Sequence, residues 1–252
     1  MAVDFDPRAK ALKIKPLVID GDKRKYYRIA RPGRWYGGIA TADCVGCNLN
    51  CVFCWSNEPR DNPEKIGKFY SPNDVFFNLT HCAQKHHYKL LRISGNEPTL
   101  HKEHLLQILE RVEKSGYHFI LETNGTLIDE TFARDLKGFR SLEVRVSLKG
   151  TTNEEFGKLT EANPFGFDWQ IQGLANLVKY NVRCHPAVML SFSPKSNLER
   201  LKNRLKKIKP KLSEMIEEEY IFLYPHVVKK LKQKGLKPLL AFSPNNIPQE
   251  FI

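Results

Sequence analysis

Short apolar or β-branched segments alternate with amphipathic helical patterns along most of this 252-residue chain. The strand patterns fall at residues 39–42, 89–94, 117–123, 142–148, 182–191 and 220–223. The helical patterns fall at residues 71–86, 105–116, 128–136, 167–180, 198–212 and 225–234. Six strand–helix units in succession predict a parallel sheet with right-handed crossovers. The predicted fold class is therefore α/β, with a partial or complete (β/α)6 barrel whose functional groups lie at the carboxyl ends of the strands.

The chain contains neither an internal repeat nor a linker long enough to divide it, so a single domain over residues 1–252 is predicted. Residues 1–35 are predicted to be a basic, irregular lead-in with one or two strands. Residues 36–191 form the predicted core that carries the motifs. Residues 192–252 are predicted to supply the last strand–helix units and a C-terminal tail.

The composition is that of a globular protein, with 41% hydrophobic and 27% charged residues. No apolar run approaches the ~20 residues that cross a bilayer. The first residues also lack the basic and then apolar pattern of a secretory signal. We therefore expect a cytoplasmic protein that does not associate with a membrane.

Lys and Arg outnumber Asp and Glu by 40 to 28, so the formal net charge is +12. Residues 195–211 hold eight basic residues and one acid. This segment could bind nucleic acid or an acidic protein, or it could be the solvated side of an amphipathic helix. Because no RNA-binding motif or interleaved aromatic residues accompany it, the second interpretation is favoured.

The cysteines indicate a metal or redox site. Two of the six, Cys82 and Cys184, stand alone and are predicted to be packing residues. The other four fall within eleven residues: Cys44, Cys47, Cys51 and Cys54. A disulfide framework would instead spread its cysteines along a small secreted chain.

The spacing of the four cysteines does not match common sites. A zinc site needs four ligands, usually from two CxxC pairs about 15–20 residues apart, whereas only three residues separate the pairs here. The ferredoxin spacing also differs. Three thiolates on a cubane cluster would leave one iron without a protein ligand, and an open metal position is where chemistry can occur.

The segment from Cys47 to Cys54, with spacing CxxxCxΦC and Phe53 before the last cysteine, resembles the signature of the radical S-adenosylmethionine (SAM) superfamily. It also lies where that family places it, after the first strand. The resemblance implies a radical SAM type of partial barrel and a [4Fe–4S] cluster on Cys47, Cys51 and Cys54. Cys44 is left open as a substitute ligand, a redox partner or a strand-end residue.

Further motifs follow in the same order. Residues 94–99 (SGNEPT) resemble the GGE motif that meets the SAM amino group, with Asn96 in place of the second glycine. Residues 122–125 and 147–149 resemble segments of glycyl-radical activating enzymes, although Glu122 and Ser147 stand where the family often has Asp. Lys149 would suit the SAM carboxylate. The resemblance thus implies SAM contacts by Phe53, Gly95, Asn96, Glu97, Pro98, Thr123, Asn124, Ser147 and Lys149.

His185 is predicted as a site residue from its position on a strand and not from the resemblance. His185 and Met189 share one face of the fifth predicted strand, which is predicted to face the barrel interior. His185 is a candidate contact for SAM or substrate, and Met189 is predicted to fill the core.

The resemblance implies that reductive cleavage of SAM gives a 5′-deoxyadenosyl radical, which abstracts hydrogen from an unidentified substrate. A protein glycyl radical site is one candidate substrate, and an electron donor of the ferredoxin or flavodoxin type is the expected partner. A tRNA-modifying enzyme related to wybutosine synthesis is an alternative, suggested by Cys54–Trp55 and the basic charge. A zinc- or cluster-stabilised nucleic-acid-binding module, with Cys44 as fourth ligand, is the alternative from another class.

Overall fold

The computed structural model describes residues 4–248. Its main sheet has nine strands, and two short strands form a second sheet. In chain order the strands are β1 (Ile19–Asp20), β2 (Lys23–Gly33), β3 (Ile39–Cys44), β4 (Lys68–Tyr70), β5 (Leu90–Gly95), β6 (His118–Thr123), β7 (Leu142–Leu148), β8 (Cys184–Met189), β9 (Glu217–Glu219), β10 (Ile221–Phe222) and β11 (Ala241–Phe242).

Six strands of the main sheet are parallel and run in the order β3-β5-β6-β7-β8-β9. On the other side of β3, the strands β1, β2 and β4 extend the sheet in antiparallel pairings. β10 and β11 pair in parallel with each other. The α/β class with a parallel, partial-barrel sheet is confirmed.

Helices α3, α4 and α7 pack against the parallel strands. The described chain contains α1 (Pro7–Val18), α2 (Asn57–Asp61), α3 (Pro72–His86), α4 (Lys102–Glu113), α5 (Glu130–Asp135), α6 (Asn153–Thr160), α7 (Gly166–Lys179), α8 (Lys195–Ile208), α9 (Pro210–Glu214) and α10 (Pro225–Gln233). Two single 3-10 turns lie at Trp35–Gly37 and Pro98–Leu100. In α8 the buried residues are Leu201 and Leu205, and its basic residues lie mainly on the outer side.

Two sequence predictions about elements are wrong. Residues 7–18 form α1, not part of an irregular lead-in, and the Asp6 side chain caps this helix by accepting from the amides of Arg8 and Ala9. The sixth parallel strand is Glu217–Glu219 and not residues 220–223, because Ile221–Phe222 pairs with β11 instead. Glu217–Glu219 contains no apolar residue, so the apolar pattern that predicted the other strands is missing there.

The single-domain boundaries stay a prediction, and the ends of that range, residues 1–3 and 249–252, lie outside the described residues. Within the described range, no helix has the length and apolar character to cross a bilayer.

Candidate functional site

The cysteine loop, residues 45–56, leaves the carboxyl end of β3 and leads into α2. Its backbone is fixed against the end of α6. The amide of Asn50 donates to the carbonyl of Thr160 at 3.0 Å, and the amide of Val52 donates to that of Leu159 at 2.8 Å. The loop therefore has a defined position at the carboxyl edge of the parallel sheet, where ligands bind in folds of this kind.

Two buried arginines also hold the cysteine loop through its carbonyl oxygens. Arg24 of β2 donates from Nη2 to Val45 at 2.5 Å and to Glu97 at 3.4 Å. Arg60 of α2 donates from Nη1 to Cys51 at 2.8 Å. Neither arginine was predicted from the sequence, because neither belongs to a motif and their burial depends on segments far away in the chain.

The three thiols expected to bind a cluster sit on this one loop. Desolvation raises the pKa of the Cys47 thiol to about 12 and that of Cys51 to about 11, while Cys54 is half-buried. Cys47 Sγ accepts from the amide of Leu49 at 3.5 Å and lies 4.0 Å from Asn124 Nδ2. The thiols of Cys47 and Cys51 are therefore protonated at neutral pH until a metal displaces the protons.

Cys44 lies at the end of β3, fully buried and in register with Gly95 of β5. Burial raises the pKa of its thiol to about 12. The binding-module alternative needs four cysteines around one ion. Over residues 4–248, no group of three or more His, Cys, Asp or Glu side chains is close enough to hold a single metal ion.

The segment after β5 closes against the cysteine loop. Gly95 has φ +91°, and a Cβ there would lie 3.0 Å from the carbonyl oxygen of Cys44, so glycine fits where a larger residue does not. Asn96 Oδ1 accepts from the amide of Gly46 at 2.8 Å, and its Nδ2 donates to the carbonyl of Ser56 at 3.0 Å. Asn96 thereby joins the two ends of the cysteine loop.

Glu97 connects this segment to the end of β6. Its Oε1 accepts from the amide and hydroxyl of Thr99 at 3.1 and 2.5 Å and from the hydroxyl of Thr123 at 2.6 Å. Its Oε2 accepts from the amide of Asn124 at 2.8 Å, and Pro98 begins the following 3-10 turn. Asn124 Nδ2 in turn donates to Asn48 of the cysteine loop at 2.8 Å. The structure thus brings together the predicted residues of three separate segments.

A cavity of about 950 Å³ opens beside the cysteine loop. Of the residues predicted to contact SAM, Phe53 and Lys149 line it. Ser147 lies just behind Lys149: its hydroxyl contacts Lys149 Nζ and donates to Glu219 Oε2 at 2.6 Å. The other predicted residues do not line the cavity.

His185 does not line the cavity. It lies near the start of β8, with Nδ1 2.6 Å from Glu143 and Nε2 3.2 Å from Glu217. Both ring nitrogens are therefore engaged by carboxylates. Met189, further along the same strand, is buried and does reach the cavity wall.

The superfamily assignment follows from comparison with known proteins. The sequence model of the Radical SAM superfamily matches residues 43–211, which is more than half of the chain. The chain belongs to the radical SAM superfamily. A solved structure, Streptococcus suis SuiB bound to S-adenosylmethionine, matches with a TM-score of 0.55 at 15% identity, covering 81% of this chain and 46% of SuiB. That likeness concerns the fold.

Two curated relatives of this radical SAM protein carry names of small-molecule enzymes. The Fe-coproporphyrin III synthase of Methanosarcina barkeri is 28% identical over 178 residues, which cover 69% of this chain and 39% of the synthase. A probable GTP 3′,8-cyclase of Sulfurisphaera tokodaii is 28% identical over 158 residues, covering 62% and 47%. The chain spans less than half the length of these relatives. Neither is named as an activase, so the glycyl-radical activase subtype is not confirmed.

Radical SAM proteins use a [4Fe–4S] cluster and SAM, and this chain is an iron–sulfur protein of that kind. The donor set of the cysteine loop fits such a cluster. Thiolates are the soft ligands that iron–sulfur clusters take. Backbone and amide N–H groups close to Cys47 Sγ are the second layer of contacts that tunes a metal site.

Proposed function

We propose that this protein is a radical SAM enzyme that cleaves SAM reductively and abstracts hydrogen from a small-molecule substrate held in the 950 Å³ cavity. The observation that carries the proposal is the position of the cysteine loop: three thiols at the carboxyl edge of a parallel sheet, beside this cavity. Cys47, Cys51 and Cys54 would hold the cluster and leave one iron open.

We propose that the segment at the end of β5, residues 95–97, maintains that geometry. Gly95 lets the backbone after β5 approach β3 closely, and Asn96 fixes both ends of the cysteine loop. Glu97 ties this segment to Thr123 and Asn124. Together these contacts hold the cluster ligands and the SAM-binding backbone in one rigid arrangement, which is what precise positioning requires.

Lys149 and Phe53 are the residues we propose to contact SAM from the cavity side. Lys149 is partly exposed, with 17% of its side chain accessible, and its Nζ is a cation that can bind the SAM carboxylate. Phe53, between Cys51 and Cys54, offers an apolar surface that excludes water. When bound, the reduced cluster supplies the electron that splits SAM into methionine and the 5′-deoxyadenosyl radical.

Two features favour a small molecule over a protein glycyl site or a tRNA. The cavity lies at the upper end of the ~300–1,000 Å³ range of small-ligand sites. The relatives described above are named for GTP and for a coproporphyrin. Activation of a glycyl-radical enzyme rests on the sequence resemblance alone, and tRNA modification rests on Cys54–Trp55 and the basic charge.

The electron donor is proposed to be an acidic carrier of the ferredoxin or flavodoxin type. α10 begins beside the cluster ligands, since His226 Nε2 lies 3.1 Å from the carbonyl of Cys54. Its outward residues include Lys229 and Lys232, both exposed. Positive charge close to the cysteine loop suits an acidic partner.

The proposal is tested with protein purified and reconstituted without oxygen. We expect iron and sulfide equal to one [4Fe–4S] cluster per chain, and 5′-deoxyadenosine on addition of SAM and dithionite, measured by mass spectrometry. Cys51→Ala should lose both, whereas Cys82→Ala, on α3 and outside the cysteine loop, should keep both. An iron-free, colourless protein that reconstitution does not change would contradict the proposal.

A further inference from the structure

Two arginines of β2 share one buried carboxylate at a wall of the cavity. Arg31 donates from Nε and Nη2 to the two oxygens of Asp43, at 2.6 and 3.1 Å. Arg28 Nε lies 2.7 Å from Asp43 Oδ2. The Asp43 side chain is fully buried, whereas that of Arg28 is 45% exposed. Since one carboxylate faces two guanidinium groups, one positive charge is left over at this wall.

The other cations of the cavity are matched by carboxylates. Their pairs are Arg92–Glu122, Arg145–Glu217, Arg145–Glu219 and Lys149–Glu219, at N–O distances of 2.8, 2.6, 2.8 and 4.0 Å. Two further carboxylates, those of Glu58 and Glu218, line the cavity and are exposed. The lining holds five Arg or Lys residues and five Glu residues, so the cavity as a whole has no positive excess, and the local excess lies at Arg28 and Arg31.

Aromatic rings flank the exposed guanidinium. Arg28 Cζ lies 4.9 Å from the centroid of Tyr27 and 5.7 Å from that of Trp55. Trp55 is 40% exposed and lines the cavity. Nine of the 27 lining residues are aromatic, against 11% of the chain. Exposed aromatic faces stack on planar rings, and guanidinium groups bind phosphate and carboxylate oxygens.

We propose that the corner formed by Arg28, Arg31 and Trp55 binds a substrate in which a planar ring carries an anionic oxygen group, either phosphate or carboxylate. The ring stacks on Trp55, and the oxygen group accepts from Arg28. Because Trp55 directly follows Cys54, the ring lies beside the cysteine loop. This assignment rests on the proposed function, since it names the substrate class of the same cavity.

The two arginines of the corner are separate from the residues proposed to hold SAM. Arg28 and Arg31 belong to β2, on the antiparallel side of the sheet. Apart from Phe53 of the cysteine loop, the proposed SAM contacts follow the parallel strands β5, β6 and β7, and Lys149 supplies a cation for the SAM carboxylate. A change at Arg28 should therefore affect the substrate and leave SAM binding unchanged.

The test uses reconstituted protein with saturating SAM, without oxygen, and measures binding by equilibrium dialysis. The probes are GTP and coproporphyrin III, which join a ring to phosphate or carboxylate, guanosine, which lacks the anion, and inorganic triphosphate, which lacks the ring. We expect GTP or coproporphyrin III to bind about tenfold or more tightly than guanosine and triphosphate. Which of the two binds distinguishes phosphate from carboxylate.

Variants then separate the contribution of the charged contact at Arg28 from that of ring stacking on Trp55. Arg28→Gln should weaken binding of the anionic probe about tenfold and leave guanosine unchanged, because only the charged contact is lost. Trp55→Leu should weaken both, with iron content confirming that the cluster is retained. Arg34→Gln, an exposed arginine outside the cavity lining, is the matched control and should change neither.

Two results would overturn the assignment. One is that neither GTP nor coproporphyrin III binds. The other is that Arg28→Gln also lowers SAM affinity or 5′-deoxyadenosine formation without added substrate, because the corner would then serve the cofactor. Failure of the unmodified protein to cleave SAM would instead contradict the proposed function, so the two failures are distinguishable.

Discussion

His185 is a partly buried cation between two carboxylates. Burial alone would lower the pKa of His185, but hydrogen bonds from its ring to Glu143 and Glu217 raise it to about 9. Burial likewise opposes ionisation of Glu217, yet hydrogen bonds from His185 and Arg145 lower the pKa of Glu217 to about 2. Since Glu217 lies on β9 and His185 on β8, this network joins the last two parallel strands.

We expect this network to make stability depend on pH. An unfolded histidine has a pKa of about 6.5, so the stabilisation by His185 is fully present below that pH and is lost as the pH rises through 9. The free energy of unfolding should fall over that window by on the order of 1–3 kcal/mol. Urea unfolding at a series of pH values measures it. His185→Gln should flatten the curve, and His118→Gln, an exposed histidine, should not. Equal slopes in all three proteins would contradict this account.

The site was predictable from sequence only where a residue belongs to a short local motif. Cys47, Cys51 and Cys54 carry a spacing that needs no knowledge of the fold. Arg24 and Arg28 carry none: one is buried and the other lines the cavity because β2 packs against β3. Strand pairing between distant segments determines the surroundings of these arginines, and no local sequence pattern indicates them.

At the level of elements, periodicity located the parallel strands that have apolar residues. The prediction for residues 142–148 matches β7 at both ends, and that for residues 89–94 differs from β5 by one residue at each end. α1 was missed because Pro16 and an even spread of lysines obscure its amphipathic pattern. β9 was missed since two of its glutamates, Glu217 and Glu219, are held by ion pairs with Arg145 and not by apolar burial.

α1 supports the cysteine loop from outside the parallel sheet, and Gly46 packs closely against it. Gly46 has φ +84°, and a Cβ there would lie 2.9 Å from Ile14 Cγ2 and 3.0 Å from Val18 Cγ1. We expect Gly46→Ala to lower the free energy of unfolding by about 2 kcal/mol or more, through backbone strain and displacement of α1. Urea denaturation measures this change, and the iron content after reconstitution should also fall.

Gly116→Ala is the matched control for that substitution. Gly116 has a similar φ of +76°, but no atom lies within 4 Å of the added Cβ. It should cost only about 1 kcal/mol, from backbone strain, and leave the iron content unchanged. If the two variants lost equal stability, the contact with α1 would not be what holds the loop.

Over the whole molecule, the excess positive charge is unevenly placed with respect to the site. α8 carries many basic residues, some paired locally, as Arg204 is with Asp168 at 2.6 Å. α10 differs because it packs on the cysteine loop: Val227 and Leu231 join Val52 in one apolar cluster. An acidic electron carrier that docks on α10 would therefore come close to the cysteines that bind the iron–sulfur cluster. No residue of α8 belongs to the apolar cluster that joins α10 to the cysteine loop.

We expect the double variant Lys229→Glu with Lys232→Glu to slow reduction of the cluster by a flavodoxin about tenfold at low salt, because it reverses the charge of the exposed face of α10. Stopped-flow absorbance of the cluster measures the rate, and the difference should shrink at about 0.5 M salt, where exposed charges are screened.

Lys85→Glu with Lys89→Glu is the control, since these exposed lysines precede the amino end of β5, away from the cysteine loop. Reduction by excess dithionite should be complete in every protein. Equal slowing by both double variants would mean that net charge, and not docking on α10, controls the rate.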